Sequence, residues 1–430
     1  MKHSNDGRTQ FLTGPHRQPC KLAMTKKAHL RPADIRGYSR LAIDATLGLT
    51  RLVETMHHNI ARTPGPLGKY SQEPTRGITG LIYRSIQGTT RLVGSGIDAL
   101  LNQLIPLLDQ EPAASSGKRE AVLAALNGVL GDHLAASANP LAIPMQLRRN
   151  GQPLVLTAQD LAASIPTPTG KILLLVHGLC MNDLQWRRHG CNGHDHGEAL
   201  ANAGGYTPLY LHYNSGEHVS RNGHAFADML ETLLQAWPVP IEKLVIVGHS
   251  MGGLLARSAW HYGKLAGHGW LKHLRQLVFL GTPHHGAPLE RSGNWVTVIL
   301  EVSPYTAALA RLAKIRSAGI TDLRHGSILD EDWQHGDRFA HAKSKKGTMA
   351  LPHGVQCFAI GVTLSKEGGD LNKLLLGDGL VPLPSALGRQ KDGTRDLNFP
   401  DSQQWVGYGM NHMDLLDDAR VYEQLRKWLC

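Results

Sequence analysis

The stretch Val245-Ile246-Val247-Gly248-His249-Ser250-Met251-Gly252-Gly253 decides how this chain folds. Its β-branched start reads as a buried strand, and Leu254-Leu255-Ala256-Arg257-Ser258-Ala259-Trp260 after it reads as a helix. Gly-x-Ser-x-Gly lies between the two. Such a turn needs glycine two positions either side of the serine, because a side chain there would collide with the crossing backbone. The turn projects the Ser250 hydroxyl. The bland alternative is a tight strand–helix turn without chemistry. A chance Gly-x-Ser-x-Gly is common among 47 glycines, but one set between a strand and a helix is not.

A serine hydroxyl is a weak nucleophile until a base takes its proton, and the base needs an orienting carboxylate. The expected chain order is acid, then histidine. Asp378 lies in Gly377-Asp378-Gly379-Leu380-Val381-Pro382, after a predicted strand at 355–362. Position must choose among 24 histidines, and His412 is the one between the last strand, near Trp405-Val406, and the last helix, Leu415 to Leu429. The competing readings are a turn-shaping aspartate and a surface loop histidine. Asp370 and Asp396 are rivals for the acid. Two backbone N–H groups must face the developing oxyanion. Met251, directly after the serine, supplies one. Leu179, after the apolar run Lys171 to Val176, supplies the other, with Gly178 allowing close backbone approach. His177 is read as holding that loop. His177, Gly178, His249 and His285 are the candidate substrate-binding residues.

The set His177-Gly178-Leu179, Gly248-His249-Ser250-Met251-Gly252-Gly253, Gly281-Thr282-Pro283-His284-His285-Gly286, Gly377-Asp378-Gly379-Leu380-Val381 and Asn411-His412-Met413-Asp414 resembles the α/β-hydrolase superfamily. Within it, the chain is similar to bacterial lipases and esterases, including the PGAP1-like (GPI-inositol deacylase-like) group, over roughly residues 140–430. The resemblance implies a Ser250–His412–Asp378 triad, an oxyanion hole at Leu179 and Met251, and ester hydrolysis without a cofactor. In some secreted bacterial lipases an aspartate two residues after the histidine binds calcium. Asp414 holds that position but has no evident partner aspartate, so no metal is expected. Asp414 is read as N-cap of the final helix.

The 430 residues suffice for one large domain plus an extension. A 42% hydrophobic and 19% charged composition fits a globular protein. No run of 18 uncharged apolar residues spans a membrane, and the N-terminus lacks an apolar leader. Five scattered cysteines suit a reducing compartment, although a Cys180–Cys191 bridge within one loop stays open. The expected location is cytoplasmic, with peripheral membrane association left open. The net charge of +10 sits on residues 1–91, which hold fifteen Lys/Arg against five Asp/Glu, while the other thirty of each cancel. A basic extension attracts anionic surfaces, and the competing reading is a solvated tail. Membrane-surface contact through this region is left open, and no nucleic-acid partner is expected. The substrate expected is a small-molecule or lipid ester, and the oligomeric state is left open.

The organisation predicted is an α/β-hydrolase fold with a mostly parallel sheet, a helical cap or lid and a helical N-terminal extension. Residues 1–78 form a basic, partly disordered extension, with a helix over 38–60 and a Pro/Gly linker over 61–78. Residues 79–138 form a helical region, with an apolar helix over 80–108, read as packed or membrane-surface, and a buried one over 119–136. The hydrolase part, 139–430, starts with a hairpin of Ala142–Leu147 and Leu154–Thr157 around Asn150-Gly151. Strands follow at 171–176, 208–213, 243–248, 275–281 and 355–362. The stretch 287–352 is too long for a simple crossover and reads as the cap, with a helix over Thr306–Arg316. Trp295, Val298, Ile299, Leu300 and Tyr305 either line an acyl pocket or form cap core.

His189, Cys191, His194, Asp195 and His196 carry zinc-type side chains at a spacing that matches no zinc site, and Asp195 reads as a helix N-cap. His212, Tyr213 and Asn214 either border the substrate or pack the loop. The function expected is a serine carboxyl-ester hydrolase of the lipase/esterase type. The alternatives are an acyltransferase, thioesterase or amidase with the same triad, or a non-enzymatic adaptor.

Overall fold

The computed structural model describes residues 36–37, 39–40, 117–187, 195–287, 317–334, 349–367, 377–390 and 393–430. An eight-stranded sheet organises them, in the order β2-β1-β4-β3-β5-β6-β7-β8. The strands are β1 Gln146–Arg149, β2 Gln152–Pro153, β3 Lys171–Val176, β4 Thr207–His212, β5 Lys243–His249, β6 Leu274–Leu280, β7 Gln356–Thr363 and β8 Gln404–Tyr408. β1 runs antiparallel to β2 and β4, and β3 to β8 are parallel. The longest runs of Val, Ile and Leu fall in β3, β5 and β6, where both faces are covered.

The helices are α1 Gly117–Ala136, α2 Ala158–Ser164, α3 His196–Gly204, α4 Val219–Gln235, α5 Met251–Ala266, α6 Ala318–His325, α7 Glu331–Gln334, α8 Leu383–Ala386 and α9 Ala419–Leu429. Period-two alternation sorts the strand side chains. Ile172, Leu174, Val176, Leu244, Ile246, Leu277 and Phe279 meet Phe226, Leu230 and Leu233 of α4 and Leu255, Ala256 and Ala259 of α5. Leu173, Leu175, Val245, Val247, Val278 and Leu280 meet Leu200 of α3 and the stripe Val421, Leu425, Leu429 of α9. Asp195, Ser317 and Asp418 cap α3, α6 and α9 with side-chain oxygens.

Several expectations shift. The hairpin pairs Arg149 directly with Gln152 around Asn150 (φ 53°) and Gly151 (φ 74°), so its strands hug the turn and stop short of Ala142 and Thr157. The N-cap of the last helix is Asp418, not Asp414; Asp414 opens a separate 3₁₀ turn, Asp414–Leu416. α1 covers the expected buried helix. Residues 36–37 and 39–40 are helical, and Arg40 donates to the carbonyls of Ser137 and Ala138 at the end of α1. The rest of the 38–60 helix, the 61–78 linker, the 80–108 helix, the 306–316 helix and Trp295 to Tyr305 lie outside the described residues, as do Cys191, His189 and His194. Among the described residues no helix is long and apolar enough to cross a membrane, and no group of three or more His, Cys, Asp or Glu is arranged for a metal ion.

α4 and α5 cross where Gly223 meets Ser258, whose Oγ donates to Ile328 O at 2.7 Å. A methyl at Gly223 collides with that side chain. Gly223→Ala is expected to cost about 1–3 kcal/mol, read as a lowered urea midpoint.

Candidate active site

β5 ends at His249, and the chain turns at Ser250 with φ 54° and ψ −122° before α5 begins at Met251. Few non-glycine residues adopt this conformation, which costs about 1–3 kcal/mol. The surrounding contacts impose it. Ser250 N donates to Leu280 O at 2.8 Å. A Cβ on Gly248 would meet the backbone of Gly253, one on Gly252 the carbonyls of Val176 and His177, and one on Gly253 the side chain of Thr282. All three glycines are therefore close-approach positions. The Met251 amide opens α5, where no intrahelical acceptor exists for it, so it faces outward from the turn.

Two later loops deliver the other groups. Asp378 Oδ2 accepts from His412 Nδ1 at 2.7 Å, with both side chains buried. The amides of Leu380 and Val381 donate to Asp378 Oδ1 at 2.9 and 2.8 Å, which fixes the carboxylate. Because Nδ1 donates to the carboxylate, His412 Nε2 is left as the acceptor, and it makes no hydrogen bond. Asn411 and Asp414 brace the loop: Asp414 Oδ2 accepts from Asn411 N, and Asn411 Oδ1 accepts from Met413 N. A Cβ on Gly281 (φ 58°) would lie 3.1 Å from His412 Cε1, so glycine lets β6 end against the imidazole. Asp396 instead accepts from Gln390 N at 2.6 Å, and Asp370 lies outside the described residues.

The loop after β3 closes the other side. A Cβ on Gly178 would stand 3.0 Å from Ser250 Cβ. His177 is fully buried, stacks on Tyr213 at 4.4 Å and donates from Nδ1 to Gly178 O at 2.9 Å. Tyr213 OH donates to His177 O at 2.9 Å, and Ser215 Oγ accepts from Cys180 N at 3.0 Å. Burial pushes the Cys180 thiol up to about 12, so it stays protonated. Asn214 binds α1 through Gly131 O. His212, Tyr213 and Asn214 are thus buried supports of the loop.

His249 lies under His412, with ring centroids 4.8 Å apart, and donates from Nε2 to His412 O at 3.3 Å. The His285 backbone N–H donates to Ser385 Oγ, and its ring engages Gly388, so no described contact joins it to Ser250 or His412. Asp195 caps α3 and accepts from Tyr210 OH, while His196 stacks on Tyr422.

Residues 167–358 match the family model of the PGAP1-like alpha/beta domain. No curated protein matches the chain. Among solved structures, the mature form of the Bacillus licheniformis lipase BlEst2 is 18% identical with a TM-score of 0.39, over 61% of this chain and 94% of that one. An esterase of Pyrobaculum calidifontis is 14% identical with a TM-score of 0.33, over 60% and 74%. Aspergillus fumigatus lipase B is 10% identical with a TM-score of 0.39, over 93% and 85%. The mostly parallel eight-stranded sheet between helices is an α/β-hydrolase-type architecture, in which Ser250, Asp378 and His412 follow β5, β7 and β8. Sequence reading missed Asp183, Ser215 and Ser385, which brace these loops; the only signal was polar side chains beside strand ends.

Burial holds the His177 imidazole down at about 3, and His284 is likewise held well below the usual histidine range by burial and Arg257. The unfolded chain takes up these protons near pH 6.5, so their contribution is intact above that pH and is lost as pH falls from 6.5 towards 3. At about 1.4 kcal/mol per unit, the loss for His177 amounts to a few kcal/mol. Urea unfolding at pH 7.5 and pH 4.5 is expected to show this slope in wild type and a shallower one in His177→Asn.

Proposed function

We propose that the protein is a serine ester hydrolase. The observation that carries this reading is Ser250 on a strained turn at the end of β5, in a sheet whose later loops supply a buried His412–Asp378 pair joined at 2.7 Å. Ser250 Oγ attacks the acyl carbonyl carbon and passes its proton to His412 Nε2. Asp378 keeps the imidazole in the right tautomer and stabilises the imidazolium. The amides of Leu179 and Met251 bind the oxyanion. Collapse expels the alcohol, which takes the proton from His412, and leaves an acyl-serine. Water then attacks with His412 again as base, the acid leaves, and Ser250 regains its proton.

An apolar acyl group, such as that of a lipid ester, fits best. Leu179 packs among Val219, Leu254, Leu323 and Ile328 on one side and Ile320 and Val381 on the other, so apolar side chains surround the Leu179 side chain. Leu323, Ile320 and Ile328 come from the 287–352 stretch, which we read as a cap over Ser250. His218 ties that stretch to the body through Asp322 at 3.0 Å. The basic residues 1–91 suit contact with an anionic lipid surface.

A fluorophosphonate probe is expected to label wild type and not Ser250→Ala. Asp378→Asn is expected to lower kcat on p-nitrophenyl esters by about 10³–10⁴-fold. Folded wild type that resists the probe, with and without detergent, overturns the reading.

A further inference from the structure

Helix α1 precedes the stretch that matches the family model, yet it packs directly on the loop that carries Leu179. A Cβ on Gly128 would collide with Cys180 Sγ, and one on Gly131 with Asn214. Asn127 Nδ2 donates to Leu141 O, and Asn127 Oδ1 accepts from Ile143 N. Ser317 Oγ donates to Gly128 O, and Asp132 accepts from Ala318 N. α1 therefore bridges the loop after β3, the lead-in to β1, and α6.

Its first turn adds a buried charge cluster. Arg148 Nη1, on β1, donates to Glu120 Oε2 and to Asp183 Oδ1, each at 3.1 Å. With its amide oxygen turned towards the guanidinium, Gln146 takes Arg148 Nε and Nη2 at 2.8 and 2.7 Å. His212 Nδ1 lies 3.2 Å from Asp183 Oδ1, and its Nε2 lies 3.8 Å from Glu120 Oε2. Glu120 and Asp183 are 5% exposed, Arg148 9% and His212 2%. Burial pushes the Asp183 carboxyl up, but His212 and Arg148 outweigh it and hold it below its ordinary value. The serine chemistry uses none of these groups.

Their placement gives them a task. Asp183 starts the 3₁₀ turn Asp183–Trp186, four residues past Leu179. His177, two residues before Leu179, is pinned by Tyr213, the residue after His212. The cluster therefore anchors the far end of the Gly178–Asn182 loop, and α1 lies over its middle. Buried ion clusters stabilise little relative to apolar packing, and their attested use is fixing geometry. The loop needs that. Cys180 sits at φ 60°, and an N–H aimed at an oxyanion must be held to a fraction of an ångström.

We propose that Glu120 is a positioning residue: through Arg148, Asp183 and His212 it holds the Gly178–Asn182 loop so that the Leu179 amide faces the oxyanion. This rests on the reading of Leu179 as an oxyanion donor. Glu120→Gln keeps the shape and removes the charge, leaving Arg148 a single carboxylate. Glu120→Asp keeps the charge and withdraws it by one methylene.

The test is hydrogen–deuterium exchange of the full chain, followed by mass spectrometry, with kinetics on short-chain p-nitrophenyl esters. In Glu120→Gln, peptides covering 178–187 are expected to exchange at least about tenfold faster, with β5 unchanged. The same variant is expected to lose about tenfold in kcat with KM unchanged. Glu120→Asp is expected to fall between it and wild type, and it carries the test if Glu120→Gln does not fold. Unchanged exchange in 178–187, or a rise spread over all strands, overturns the proposal. So does faster loop exchange with full kcat. Wild type without Ser250-dependent hydrolysis overturns the serine-hydrolase reading instead, and the exchange data still decide whether Glu120 holds the loop.

Discussion

The backbone crossing at Ser250 is the constraint on which the rest depends. A serine at φ 54° and ψ −122° does not persist unless its neighbours leave no alternative. Here α5 starts so close to β5, to the end of β3 and to Thr282 that Gly248, Gly252 and Gly253 have no room for a Cβ. The carbonyls of Val176 and His177 that press on Gly252 belong to the end of β3 and the residue after it. The turn that projects the hydroxyl therefore also fixes the start of the neighbouring loop. Strain at Ser250 and placement of Leu179 are two results of one close approach.

Around that crossing the protein arranges polar groups by burial and direction. Asp378 is committed on both oxygens, to His412 and to the Leu380 and Val381 amides. His412 has one nitrogen committed to Asp378 and the other without a hydrogen-bond partner. His177 is buried too deeply to charge at neutral pH, so it serves as a shape, stacked on Tyr213.

Much of this was legible in the chain. The five strands read at 171–176, 208–213, 243–248, 275–281 and 355–362 fall within about one residue of β3 to β7, because short runs rich in apolar, β-branched and aromatic residues between turn signals have few other uses. The structure also joins Asp378 to His412, the pair chosen by order along the chain, while Asp396 serves a local turn. Asp414 misled: an aspartate before an apolar run looks like an N-cap, but the 3₁₀ turn at Asp414–Leu416 delays the helix until Asp418. Local sequence fixes that some cap exists and leaves its position to packing.

The sequence by itself determined most strands, the strand–turn–helix at Ser250 and the loops that hold Asp378 and His412, because periodicity, glycine spacing and turn chemistry act over a few residues. Only the tertiary structure decided what brackets the loop that carries Leu179. Glu120, Arg148, Asp183 and His212 are far apart in the chain; the first three read as ordinary polar residues on a helix, a strand and a loop, and His212 only as bordering the substrate or packing its loop. Nothing in their spacing marks them, because what joins them is the antiparallel pairing of β1 with β4 and the laying of α1 across the loop after β3. Charge partners in a fold are chosen by proximity, and proximity between distant segments exists only once the sheet has formed.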